Sequence, residues 1–277
     1  MTKALTNNSS QQDHDGPWKQ ALETYFKEAM ALLFPKVHLA IDWTHPIDFL
    51  DKELQKIIVK AERSKTYADK LVKVKRINGS ETWLLIHIEV QGEPEAHFAE
   101  RMFQYHSRIR NRYKKDVISL AILSDHQASF RPDCYHYQAL GCEIQFRYPI
   151  SKLLDFLPQR TELLNSENVF GLIVLAQLDA KLIKEPTQLL AAKVLLIRQL
   201  YERGYSKQQI ITLFNLIDWM ITLPKQLVIE FDNHIDQIEK EKNMQYINSL
   251  EQLYLERGKL EGKLEGKQEG KQEGKFE

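Results

Sequence analysis

Hydrophobic and polar positions along the chain change their period several times, and each change marks an element. Trp18, Leu22, Tyr25, Phe26, Ala29, Leu32 and Leu33 recur at helical spacing after Pro17, and Pro35 closes the run. A second helical stripe, Phe49, Leu50, Leu54, Ile57 and Ile58, predicts a helix from Ile47 to about Ala61. The period then falls toward two. Ala68 to Arg76 and Thr82 to Gln91 read as strands joined by a tight turn at Asn78-Gly79. In the second strand Leu84, Ile86, Ile88 and Val90 share one face. Trp83, Leu85, His87, Glu89 and Gln91 share the other.

After the break at Gly92 to Pro94, Phe98, Met102, Tyr105, Ile109 and Tyr113 define a helix over about Glu95 to Lys115. The continuous apolar run Val117 to Leu123 suits a central buried strand, and Glu143 to Tyr148 a further short one. Beyond Pro158 the chain reads as four helices: Asn168 to Leu182, Thr187 to Tyr201, Ser206 to Ile221 and Pro224 to about Tyr246. Ser206 with Gln209 resembles a capping box, and Gly204 a helix stop. The expected architecture is α/β: a small mixed central sheet flanked by helices over residues 17–157, then a helical accessory region over 158–250. Residues 1–16 are polar and read as disordered. From Gly258 a four-residue Gly-Lys-x-Glu repeat forms a low-complexity tail over 251–277. It is too poor in apolar residues to build a core, and a solvated spacer is the expected role rather than self-association.

Composition changes this picture little. Lys+Arg and Asp+Glu both number 38, so any basic surface is local rather than global. Two cysteines, Cys134 and Cys142, are too few for a disulfide framework or a zinc ribbon. No secretory signal or membrane-length apolar run is present, so a cytoplasmic protein without membrane contact is expected.

Chemistry concentrates at the hairpin. Asp69 lies roughly ten residues before the turn and Glu89 roughly ten after it, so antiparallel pairing brings them together. Paired carboxylates repel unless a cation or proton lies between them, and Mg²⁺ is the oxygen-preferring occupant, with Mn²⁺ as a substitute. Gln91 projects from the same face as Glu89, placed to orient water or a phosphate oxygen. Arg101, Arg108 and Arg112 on the basic helix are candidate contacts to a DNA backbone, Arg101 first because it lies nearest the Glu89 strand end. Lys73 on the Asp69 strand is a candidate cation for the same purposes. His87 shares the Glu89 face, but His-x-Glu without a following Pro-Cys-x-x-Cys does not make a zinc deaminase signature. A packed histidine is expected there, and Tyr105 and Tyr113 are expected in the core.

The segments D-K-L-V-K-V from Asp69, W-L-L-I-H-I-E-V-Q from Trp83 and F-A-E-R-M-F-Q-Y from Phe98 resemble the Rpn family of recombination-promoting nucleases, also labelled putative transposases, in the PD-(D/E)XK superfamily. The segments I-D-W at Ile41 to Trp43 and F-L-D-K-E-L at Phe49 to Leu54 resemble it too. The resemblance covers roughly residues 14–157. It implies a restriction-endonuclease-like core and Mg²⁺-dependent hydrolysis of DNA phosphodiesters, with recombination or mobile elements as the setting. Asp69 and Glu89 match the metal ligands, Gln91 the place of the Lys in E-x-K, and Glu53 the acidic residue of the first core helix. A homodimer is the assembly common among nucleases of this fold. Gln91 departs from the pattern, since a neutral amide cannot supply the charge of a lysine. The alternative is a weak or inactive nuclease fold that binds DNA, or an oligomeric regulatory protein.

Overall fold

The computed structural model describes residues 15–57, 67–77, 83–244 and 246–247. The expected disordered start (except Asp15 and Gly16), the Asn78-Gly79 turn and the Gly-Lys-x-Glu tail lie outside them. The chain divides into two compact units, at residues 183 and 184.

The first unit is built on a five-stranded mixed sheet in the order β1-β2-β3-β4-β7. Its strands are β1 (Asp48–Phe49), β2 (Tyr67–Lys75), β3 (Trp83–Gln91), β4 (Val117–Leu123) and β7 (Ile150–Lys152). β1-β2 and β2-β3 pair antiparallel; β3-β4 and β4-β7 pair parallel. The parallel crossover from β3 to β4 is made by α5 (Phe98–Tyr113). Leu71 and Leu85 of the sheet pack with Leu54, Tyr105 and Ile109 in one apolar cluster, so α4 (Asp51–Ile57) and α5 cover that face. Near the end of α5 where the crossover begins, Phe98 and Met102 pack with Ala121, Leu123 and Tyr148. Burying each such side chain contributes about 1.5–3 kcal/mol.

The alternation read along β3 holds, but its second face is not a wet one. Leu85, His87, Glu89 and Gln91 are buried as fully as Leu84, Ile86, Ile88 and Val90. α1 (Asp15–Thr24) packs against β2, and α2 (Phe26–Leu33) follows after a break at Tyr25. The single helix expected from Trp18 to Leu33 is therefore two. Pro35 does not merely stop α2; its fixed φ starts the short α3 (Pro35–His38).

The helix expected from Ile47 begins later. Asp48 and Phe49 pair with Lys73 and Val72, and Leu50 N donates to Leu71 O at 2.7 Å. Only then does α4 start. Asp51 anchors it there, because its carboxylate pairs with Lys70 and accepts from Leu71 N.

Between β4 and β7 the chain makes a separate hairpin, β5 (Cys134–Ala139) with β6 (Cys142–Arg147). Phe103 of α5 stacks on Tyr135 at 5.1 Å, and Phe146 lies against Phe103 and His106, which pins the hairpin to the helix. At the base of β7, Lys152 is wholly buried, yet its ammonium donates to Asp125 Oδ2 (2.6 Å), Gln127 O and Phe130 O.

The first unit extends further than the expected boundary at 157. A 3₁₀ helix (Leu153–Gln159), α6 (Arg160–Asn165) and α7 (Phe170–Leu182) belong to it. Trp18 Nε1 donates to Gln177 Oε1 at 3.0 Å, and Asn168 Nδ2 to Glu28 O at 2.9 Å. These bonds close the unit between its two ends. α7 is buried almost all round, which is why it reads as helical but not as amphipathic.

The second unit contains α8 (Pro186–Glu202), α9 (Lys207–Met220) and α10 (Lys225–Lys242). The Ser206–Gln209 capping box is present at the start of α9, and Gly204 takes the positive φ expected of a stop signal. Lys193 is buried and donates to Asp218 Oδ1 and Ile221 O, while Glu239 accepts from Tyr201 Oη and from the backbone N–H of Tyr246 and Ile247.

The β5–β6 loop has two residues, Leu140 and Gly141, both with positive φ (47° and 87°), the signature of a type I′ turn. Glycine suits its position; leucine does not, and the left-handed region costs a branched L-residue about 1–2 kcal/mol. Leu140 is fully exposed, so it recovers nothing by burial. The substitution Leu140→Asn is expected to stabilise the protein by about 1 kcal/mol, raising the thermal midpoint by about 2–4 °C in scanning calorimetry. An unchanged or lowered midpoint would contradict the turn assignment.

Candidate functional site

The antiparallel register places Asp69 opposite Glu89, with a shift in pairing between Tyr67 and Asp69. That is the juxtaposition expected from the offsets about the turn. The Asp69 side chain lies outside the described residues, so its backbone position alone is fixed. Glu89 and Gln91 lie toward the carboxyl end of β3, beside Ala121 and Leu123 of β4. Ser124 N donates to Gln91 O at 2.8 Å, which carries the ladder one step past the strand ends. Open α/β sheets characteristically place ligands at such carboxyl ends of parallel strands.

The Glu89 carboxylate has no solvent exposure. A charge in that position is costly without a partner. Arg101, on the second turn of α5, brings Nη2 to 3.6 Å from Glu89 Oε2. The same nitrogen donates to Gln91 Oε1 at 2.9 Å, and Nη1 pairs with Glu95 Oε2 at 2.5 Å. Burial works to lower the Arg101 pKa, but the Glu89 charge and the Glu95 hydrogen bond outweigh it, and the net shift is upward. The guanidinium is thus a permanent cation at the carboxylate pair.

Gln91 is engaged at both ends of its amide. Its oxygen accepts from Arg101, and its nitrogen donates to Glu93 O at 2.5 Å. Its amide thus holds the Arg101 guanidinium beside Glu89.

The remaining candidates are placed as follows. Glu53 is half-buried in the first turn of α4 and, among the described residues, forms no ion pair or hydrogen bond with the Glu89 group. Lys73 pairs with Asp48 at 3.2 Å and sits opposite Leu85, four positions and about 13 Å along the strand from Asp69. It does not fill the place of a lysine at Gln91. Arg101, expected as a surface contact to DNA, turns inward and is 7% exposed. Arg108 is half-buried, and Arg112 is exposed with its guanidinium over the Tyr113 ring.

His87 is fully buried, as a packed histidine, edge-on to Tyr105. Its Nδ1 lies 3.4 Å from Ser119 Oγ, and His106 Nδ1 lies 3.2 Å from the same oxygen. A single hydroxyl proton can serve only one ring, so one imidazole accepts from Ser119 and the other donates to it. Burial, with His106 and Arg101 nearby, depresses His87 to a pKa of about 3; burial and Arg110 depress His106.

Sequence reasoning missed Glu95 and the inward role of Arg101. A signal existed for the second: Arg101 stands three residues after Phe98 and four before Tyr105, on the buried stripe of α5. Glu95 precedes the helix and had no periodic signal.

The chain matches no protein-family model, no curated protein and no solved structure. Among the described residues no three His, Cys, Asp or Glu side chains cluster as a metal site, and no helix is long and apolar enough to cross a membrane.

Two predictions follow from this geometry. Arg101→Met is expected to destabilise by about 3–5 kcal/mol, because it removes the cation of a buried ion pair with Glu89. Glu89→Gln in the same chain should recover much of that loss, and additive effects in a double-mutant cycle of urea unfolding would sink the pairing. Second, a histidine whose folded pKa lies below its unfolded value of 6.5 contributes stability that is full above pH 6.5 and lost as pH falls toward 3. Each such group steepens that decline by up to about 1.4 kcal/mol per pH unit. Denaturant titrations of His87→Gln between pH 7 and 4.5 should show a shallower decline than wild type; parallel curves would contradict it.

Proposed function

We propose that the chain is a Mg²⁺-dependent DNA endonuclease with a PD-(D/E)XK, restriction-endonuclease-like core, in line with its motif resemblance to the Rpn nucleases. The observation that carries the reading is the register of Asp69 opposite Glu89 at the carboxyl end of β3, with Arg101 beside Glu89. The order β1-β2-β3, helix α5, then parallel β4, an α/β unit with a mixed sheet, supports the reading.

The donor chemistry fits the ion in kind. Asp69 and Glu89 offer hard carboxylate oxygens, and a carboxylate as deeply buried as Glu89 calls for positive charge. Mg²⁺ bound there would polarise a phosphodiester and lower the pKa of a water. Arg101 supplies beside Glu89 the positive charge that neutral Gln91 lacks. Gln91 and Glu95 act as positioning residues, fixing the guanidinium plane from two sides. DNA breakage of this kind is the activity that would promote recombination.

A second reading is favoured by one observation. Arg101 already stands against Glu89, so the charge need of the pocket is partly met by the chain itself. In that case the fold binds DNA without cutting it.

Plasmid nicking decides between them. Purified wild type is expected to nick supercoiled DNA with Mg²⁺ or Mn²⁺ and not with EDTA. Asp69→Ala should abolish nicking, and Arg101→Lys should slow it by about 10-fold or more. A folded wild type that cuts no DNA form with either ion would leave the binding module. Cleavage undiminished in Asp69→Ala would place the activity elsewhere.

A further inference from the structure

Away from the Glu89 group, α5 and β6 enclose a cleft of about 690 Å³. Its lining carries three formal cations, Arg110, Lys114 and Lys115, against one carboxylate, Asp116. In a chain with zero net charge this is a local excess of positive potential. Arg110 and Lys115 are exposed, and among the described residues their side chains make no hydrogen bond or ion pair. Lys114 is oriented by Asn111 Oδ1 at 2.6 Å. The remaining wall is aromatic. Phe146 and His106 lie 4.6 Å apart, ring to ring, and Phe103 stands beside them. Because Phe103 is also stacked on Tyr135, the hairpin wall is held against the helix and the cleft is preformed.

We propose that this cleft binds a single strand of nucleic acid, its phosphates on Arg110, Lys114 and Lys115 and a base against the Phe103–His106–Phe146 wall. Cations that track a backbone, interleaved with rings on which any base can stack, are the chemistry of sequence-tolerant single-strand binding. A duplex would meet the cations too, but its bases are stacked on one another and offer the ring wall no free face. An acidic peptide would meet the cations but leave the ring wall without a stacking partner.

The placement gives the cleft a use. Arg101 and Arg110 stand nine residues apart on α5, about 14 Å along its axis, or about four stacked nucleotides. A strand gripped in the cleft would reach the Glu89 group. This last step rests on the nuclease reading; the cleft itself does not.

The test is fluorescence anisotropy of labelled dT₁₂ with the full chain in EDTA, where no cleavage interferes. Lys114→Glu/Lys115→Glu is expected to weaken binding at least 10-fold and to reduce the salt slope by about 1.4, two single-strand phosphate contacts. The control Lys184→Glu/Lys225→Glu, with the same charge change at exposed positions of the second unit, should stay within about 3-fold. Equal loss in both pairs, no loss in the cleft pair, or no binding by wild type would overturn the proposal. So would displacement by polyglutamate or by a 12-bp duplex as effective as by unlabelled dT₁₂. Failure of nicking with strand binding intact would remove the nuclease reading and leave the cleft. Nicking that persists while the cleft pair binds normally would do the reverse.

Discussion

A carboxylate without solvent contact in the central strand of a sheet is the constraint around which the first unit is arranged. Glu89 cannot stay ionised there unless positive charge is brought to it. Arg101 is brought by α5, whose position is fixed by Phe98 and Met102 below it and by Tyr105 and Ile109 further along. The guanidinium is then locked by Gln91 and Glu95. Sheet, crossover helix and charged pocket therefore depend on one another. Removing the arginine takes that positive charge away, and removing the helix packing displaces the arginine.

The same constraint explains how the site relates to the fold. β3 is covered on both faces, so its polar groups depend on partners, among them Arg101 for Glu89 and Gln91, Ser119 for His87, and His87 Nε2 at 3.8 Å from Glu89 Oε1. Ser119 also reaches His106, at the edge of the basic cleft. Polar side chains thus lead from the Glu89 group toward α5's outer flank, with both rings neutral near pH 7.

Much of this was legible in the sequence, for identifiable reasons. β4 was found at both ends because seven apolar residues in a row leave no other reading inside an α/β unit. The Asp69–Glu89 pairing was legible because a hairpin with equal arms fixes its own register. The capping box at Ser206 was legible because it is local chemistry. What was not legible depended on distant partners. β1 and β7 are two and three residues long and have no period to detect. β5 is largely exposed and lacks a clear apolar alternation, whereas its partner β6 matches the strand expected at Glu143 to Tyr148 to within one residue at each end. The boundary near 183 is set by Trp18 meeting Gln177 across 159 positions, which no window sees. The inward turn of Arg101 was hidden because a basic residue among basic residues reads as surface.

The measurement that bears most directly on the Asp69–Glu89 pair is calorimetric titration of Mn²⁺ into the folded, metal-stripped chain. One ion per chain for wild type, with affinity at least about 10-fold weaker in Asp69→Asn while circular dichroism is unchanged, is what the account requires. No binding by wild type, or equal binding by the variant, would mean that the pocket is not a metal centre.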